Sequence, residues 1–300
     1  MARILVIGRS GQLATALRQC SDSQNDLSFE FLGRPAIDLT DPLTLRDEVI
    51  SRAPDLIINA AAYTAVDQAE IEADIAYQVN ADAVIELGNI AADLEAPIIH
   101  VSTDYVFDGQ SGGSYREDDA TGPVGIYGQS KLAGEIGLAA ATPAHIIVRT
   151  SWVYAPYGQN FMRSMLRLGR DRDTLGIVSD QIGSPTSADD LASAILSIAR
   201  KVLSAETPDM YYGVVHVCGT GIASWYDFAR HVFKCAAEQG YRVPDLSAIL
   251  TAEYPTPAQR PENSRLDTTR LRRIFGVELP DWTSSVARDV RILMDAEDQK

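Results

Sequence analysis

The chain has 300 residues, 46% of them hydrophobic and 22% charged, with a formal net charge of −15. That length suits one large α/β unit or two closely joined domains, and the acidity argues against nucleic acid and anionic membranes as partners. No window approaches the roughly 20 apolar residues of a membrane span. Three scattered cysteines, Cys20, Cys218 and Cys235, suggest neither a disulfide framework nor a zinc site, so a reduced cytoplasmic protein is expected.

The first predicted strand, 3–8, runs into a glycine turn and a helix over 11–20. The turn reads GRSGQLA and spaces Gly8, Gly11 and Ala14 as G-x-x-G-x-x-A. Glycines there let the backbone turn sharply and approach a pyrophosphate, and a small third residue lets the helix pack on the strand. The helix N-terminus adds amide donors and partial positive charge. A dinucleotide site is expected. A second strand spans 27–33, and an acidic residue at its end would bind a ribose diol. Here the chain reads FLGRPAIDL, and Arg9 and Arg34 could meet a 2′-phosphate instead. That favours NADPH and leaves NADH possible, with Asp38 and Leu39 bordering the adenine.

A helix over 41–53 follows, capped by Asp41 with Pro42 in its first turn. The strand over 55–62 ends in small residues, within NAAAYT, that would let a cofactor lie across the strand ends. Helical segments at 71–94 and 127–141 then alternate with strands at 96–103 and 145–154. This rhythm, with strands apolar throughout, predicts an α/β fold: a Rossmann-type, doubly wound parallel sheet. Beyond 155 lie helices at 160–170, 187–203 and 224–240, a late strand at 213–219, and proline-rich irregular chain over 240–268. The expected division is a cofactor-binding core over 1–155, completed by parts of 170–240, with a smaller interleaved substrate lobe over 156–300.

GIYGQSKLAGE, residues 125–135, holds one of only four lysines among 26 basic residues. Tyr127 and Lys131 are four apart and share a helix face. An ammonium beside a phenol lowers the phenol from its usual value of about 10, so that it can exchange a proton with a carbonyl oxygen while hydride moves. A compact ammonium can also serve a ribose hydroxyl, which a guanidinium does less well. Ser102 and Thr103, in STDYVFDG, place hydroxyls at the carboxyl end of a predicted strand, where ligands bind in open α/β sheets.

Together with INAAAYTAVDQAE, RTSWVYAPYGQNF, DQIGSPTSADDLA and RPENSRLDTTRL, these motifs resemble the extended short-chain dehydrogenase/reductases over almost the whole chain. Within them, the sequence is similar to the branch acting on dTDP-sugars in dTDP-rhamnose synthesis for cell-surface polysaccharide. The resemblance implies NADPH-dependent reduction of the 4-keto group of dTDP-4-dehydro-β-L-rhamnose. In that reading Tyr127 donates the proton, Lys131 tunes it and holds the nicotinamide ribose, and Thr103 polarises the carbonyl. Gly8, Gly11, Gln12, Leu13, Arg34, Asp38, Leu39, Ala62, Tyr63 and Thr64 line the cofactor. Asp104 and Trp152 contact the sugar nucleotide, and Arg260 and Asn263 its diphosphate or base.

Some members of the family bridge two subunits through magnesium, using a carboxylate early in the first helix. This chain has Thr15 there and Arg291 in the C-terminal helix. No metal is therefore expected, and any homodimer would lack a metal bridge. Two other readings stay open. One is a non-catalytic NADP-binding regulatory subunit similar to the β subunit of methionine adenosyltransferase. The other is a related nucleotide-sugar epimerase or reductase.

Overall fold

The computed structural model describes residues 1–22 and 26–298. Strands β1 (Ala2–Ile7), β2 (Leu27–Leu32), β3 (Leu56–Asn59), β4 (Ile98–Thr103) and β5 (His145–Thr150) join a sixth, Gly213–His216, in a parallel sheet. The spatial order is β2-β1-β3-β4-β5-sixth. Alternate residues serve opposite faces. Ile4, Val6, Ile58 and Val148 pack with Leu191, Ile195 and Ile198 of the helix Ala188–Ser204. Leu5, Ile7, Ile57 and Ile147 pack on the other face with Val84, Leu87 and Leu138. Helices cover both faces, so the strands are apolar throughout instead of alternating, and each such buried side chain contributes about 1.5–3 kcal/mol. The winding direction reverses between β1 and β3, which opens a crevice at the carboxyl ends of the strands.

A separate apolar core is built from the helices Phe161–Asp171, Trp225–Glu238 and Trp282–Asp298, around Met162, Phe228, Val232, Val286 and Val290. Residues 224–227 open the middle helix with a capping box: Ser224 Oγ accepts from Asp227 N, while the Asp227 carboxylate accepts from Ser224 N. No helix among the described residues is long and apolar enough to cross a membrane.

Three segments depart from the sequence expectation. The single helix expected over 71–94 is interrupted by a π turn, Gln78–Asp82, between Ala73–Tyr77 and Ala83–Asp93. At the turn, buried Asn80 accepts from Tyr63 N at 2.9 Å and donates to Tyr63 O and Ser130 Oγ, both at 3.1 Å. The run 145–154 breaks after Thr150, because Trp152 adopts a left-handed φ of 48°. Within the stretch read as irregular, Asp245–Ile249 pairs in parallel with Thr174–Val178. That strand is mostly exposed, so it carries little of the burial pattern that signals a strand.

The helix Ile126–Ala141 lies unusually close to its neighbours. A Cβ on Gly134 would stand 2.0 Å from Asn80 O, and one on Gly128 2.2 Å from Tyr105 O. Backbone cannot yield there as a flexible side chain could. Gly134→Ala is expected to lower stability by about 1–3 kcal/mol or more, read as a shift in the urea midpoint. Gly112→Ala, whose Cβ would meet nothing within 4 Å, is the control and should leave the midpoint in place.

Candidate active site

The crevice is a cleft of about 1370 Å³. Gly8, Gly11, Gln12, Leu13, Arg34, Leu39, Ala62, Tyr63 and Thr64 line it, together with Thr103, Asp104, Tyr127, Lys131 and Trp152. Gly8 has φ +130°, and a Cβ there would meet the Ala60 backbone at 3.4 Å. Only glycine adopts this conformation without strain. Gly11 caps the helix Gln12–Ser21 with no side chain, so its first amides face the cleft uncovered. Both observations fit the pyrophosphate of a dinucleotide.

Arg9, Arg34 and Arg18 make the same region basic. Arg18, stacked over Phe31 at 4.1 Å, has no counterpart in the sequence reading. Arg34 pairs with Asp38 (Nε–Oδ2 3.0 Å). The Thr40 amide, Arg34 and the Thr40 hydroxyl together hold Asp38 down at about 2. Asp38 thus anchors the loop that presents Arg34 and does not itself line the cleft. Gln12 Oε1 accepts from Asn160 Nδ2 at 2.8 Å, tying the glycine turn to the start of the Phe161–Asp171 helix. The Tyr63 hydroxyl donates to Glu72 at 2.6 Å, and this bond pushes Tyr63 up to about 12.

At the end of β4, Thr103 Oγ1 accepts from Tyr105 N (3.2 Å) and donates to Asp104 Oδ1 (3.1 Å). Burial raises Asp104 to about 6. Tyr127 stands in the first turn of its helix, where Glu70 caps the Ile126 amide at 2.9 Å. The Tyr105 ring meets it edge-on, centroids 5.5 Å apart. The expected depression of the Tyr127 phenol is absent from the protein alone. Burial pushes it up to about 12, and a Thr103 hydrogen bond only partly opposes this. Lys131 carries the perturbation instead: burial lowers it to about 8 against the pull of Glu135. Its Nζ donates to Val101 O at 2.8 Å and lies 3.1 Å from His100 Nε2.

Trp152 stacks on Trp225 with centroids 3.6 Å apart and planes 9° from parallel. The indole of Trp152 fills the space a Cβ on Gly183 would need, and Trp225 also lines the cleft. Besides Asp38, two predicted residues fall outside it. Arg260 pairs with Asp67 at 2.9 Å and borders a neighbouring depression of about 580 Å³. Asn263 is buried and donates to Ser111 O (2.8 Å) and Gly113 O (2.7 Å), which fixes the loop at 111–113. Sequence reasoning missed Asn59, Asn80, His100 and Trp225. For His100 a cue was present, as a histidine inside the apolar run APIIHVST. Among the described residues no group of three His, Cys, Asp or Glu is placed to hold a metal ion.

Comparison with known proteins agrees over nearly the full length. The chain is 48% identical to a dTDP-4-dehydrorhamnose reductase of Sinorhizobium fredii (strain NBRC 101917 / NGR234), covering 99% of both. Its fold is similar to a crystal structure of a dTDP-4-dehydrorhamnose reductase from Clostridium acetobutylicum, with TM-score 0.90, 33% identity and 97% and 99% of the two chains covered. The corresponding Bacillus anthracis enzyme, solved in complex with NADP, gives a TM-score of 0.87 at 34% identity, over 96% and 98% of the chains. The model of the RmlD substrate binding domain matches residues 2–294, and the chain belongs to that family.

Proposed function

We propose that this chain reduces the 4-keto group of dTDP-4-dehydro-β-L-rhamnose with NADPH and releases dTDP-β-L-rhamnose. The observation that carries the reading is the convergence of Thr103, Tyr127 and Lys131 on the cleft that also receives the uncovered amides at Gly11. The Sinorhizobium relative bears that activity as its name, and the Bacillus anthracis structure holds NADP.

In this proposal the backbone at Gly8, Gly11 and Leu13 binds the pyrophosphate, and Arg34, with Arg9 and Arg18, meets the 2′-phosphate. Ala62, Tyr63 and Thr64 continue the cofactor wall. When bound, NADPH supplies the hydride. The Thr103 hydroxyl turns from Asp104 to donate a hydrogen bond to the keto oxygen, and Tyr127 delivers the proton as that oxygen gains negative charge. Trp152, seated on Trp225, offers the sugar an apolar wall, and Asp104 faces its hydroxyls. The core over 1–155 with parts of 170–240 would hold the cofactor, and the remainder the sugar nucleotide. Any homodimer would form without a metal bridge.

The test is NADPH absorbance on adding dTDP-4-dehydrorhamnose generated together with its 3,5-epimerase. Oxidation should match the dTDP-rhamnose formed, and NADPH that binds without turnover would overturn the proposal. Tyr127→Phe should lower kcat by about 10²–10⁴-fold with NADPH affinity nearly unchanged. Arg34→Ala should weaken NADPH more than NADH in a binding titration, and equal weakening would remove Arg34 from the phosphate site. Asp104 contributes a pH dependence of its own. With its native value raised to about 6, stability is full below about pH 4 and declines as pH rises through 6, by about 3 kcal/mol in all. Urea midpoints between pH 4 and 7 should show this decline in the wild type and lack it in Asp104→Asn.

A further inference from the structure

Asn59 and His100 are register partners on β3 and β4 and share the face covered by the helix Ile126–Ala141. Both are buried. The Asn59 amide has one orientation, because its Oδ1 accepts from Ala61 N at 3.1 Å. Its Nδ2 is therefore the atom 3.0 Å from His100 Nδ1. An amide nitrogen only donates, so Nδ1 must offer its lone pair, and the neutral ring carries its proton on Nε2. Burial, reinforced by the charge of Lys131, holds His100 well below the usual histidine range, so the ring is neutral.

Nε2–H then points at Lys131 Nζ, 3.1 Å away. An ammonium has three donors and no acceptor. Charged Lys131 can serve Val101 O, but it meets His100 donor to donor. The neutral amine has a lone pair and accepts from Nε2–H while still donating to Val101 O. The buried cluster is thus fully hydrogen-bonded only when Lys131 has given up a proton.

We propose that His100, oriented by Asn59, is a positioning residue that accommodates the amine form of Lys131 better than the ammonium, and so sets the pH at which the site loses the ammonium beside Tyr127. The inference rests on the reductase reading above. The charged and titratable groups around Lys131 are few. Glu135, one turn on, favours the ammonium but is engaged by Arg149 from β5 at 2.7 Å. Tyr127 lies one turn back, with Asp104 beyond it, and His100 faces Lys131 from β4. Burial outweighs Glu135, in the direction the hydrogen-bond pattern requires.

The first test uses the cofactor-free wild type with ¹⁵N-imidazole histidine and ¹³Cε lysine, assigned by triple-resonance spectra. It needs no turnover, so it stands apart from any failure of the reductase reading. His100 should show the Nε2–H tautomer, and Lys131 should titrate near 8, well below the ordinary lysine value of about 10.4. An Nδ1–H tautomer, or a Lys131 that titrates at the ordinary lysine value, would overturn the proposal. The second test is His100→Gln, whose carbonyl can accept from the ammonium. The alkaline limb of the kcat–pH profile should move up by about one pH unit, with KM for NADPH unchanged. A uniform loss of kcat with the limb unmoved would reduce His100 to a packing residue.

Discussion

The site depends on a polar stripe along the one helix face that should be apolar. Tyr127, Lys131 and Glu135 recur every four residues on the helix Ile126–Ala141, so they line up one above another. Tyr127 and Lys131 line the cleft, and Glu135 meets Arg149 of β5 through three hydrogen bonds, with both side chains about 95% buried. A buried ion pair gains little net stability, but it penalises every seating of the helix that would leave one partner alone. It therefore acts chiefly as a register pin. Gly128 and Gly134 complete the constraint by letting carbonyl oxygens come where side chains would otherwise stand.

That seating is transmitted to the cleft wall at Tyr63 through Asn80. The π turn swings this residue inward, where it holds both backbone groups of Tyr63 and the hydroxyl of Ser130 on the neighbouring helix. The segment after β3 has no strand partner for its backbone, and the Asn80 amide takes the place of one. A widened turn in a helix is a local cost, and its appearance at a binding cleft follows the usual association of such turns with function. The turn after β5 shows a comparable concession. Trp152 is held in a left-handed conformation that bulky residues rarely adopt, and stacking on Trp225 against Gly183 keeps it there.

The sheet was legible in the sequence because its strands are buried on both faces, and a run such as RILVIG has no other economical explanation. The glycine turn and the Tyr127–Lys131 spacing were legible for the same reason: each follows from local geometry. What escaped depends on contacts between distant segments. Asn80 resembles any polar residue within a helical pattern until the helix is seen to widen around it. His100 and Asn59 become partners only when β3 and β4 pair in their particular register. Asn263 offers the polar atoms of a ligand-binding residue, yet its amide is spent on the 111–113 loop, which no spacing in the chain reveals. The expected effect of Lys131 on Tyr127 assumed that proximity dominates, whereas burial of the phenol does.

The sixth strand has a consequence for how the molecule is made. Gly213–His216 pairs with β5 only after the chain has left the sheet and built the helix Phe161–Asp171 and the strand Thr174–Val178. During synthesis, β5 must therefore wait as an unprotected edge until more than sixty further residues have emerged, a time of several seconds at about 5–20 residues per second. An apolar parallel strand with open amides and carbonyls is a ready template for another chain. The interval between residues 150 and 213 is thus when a nascent copy is most exposed to mispairing with its neighbours on the same messenger.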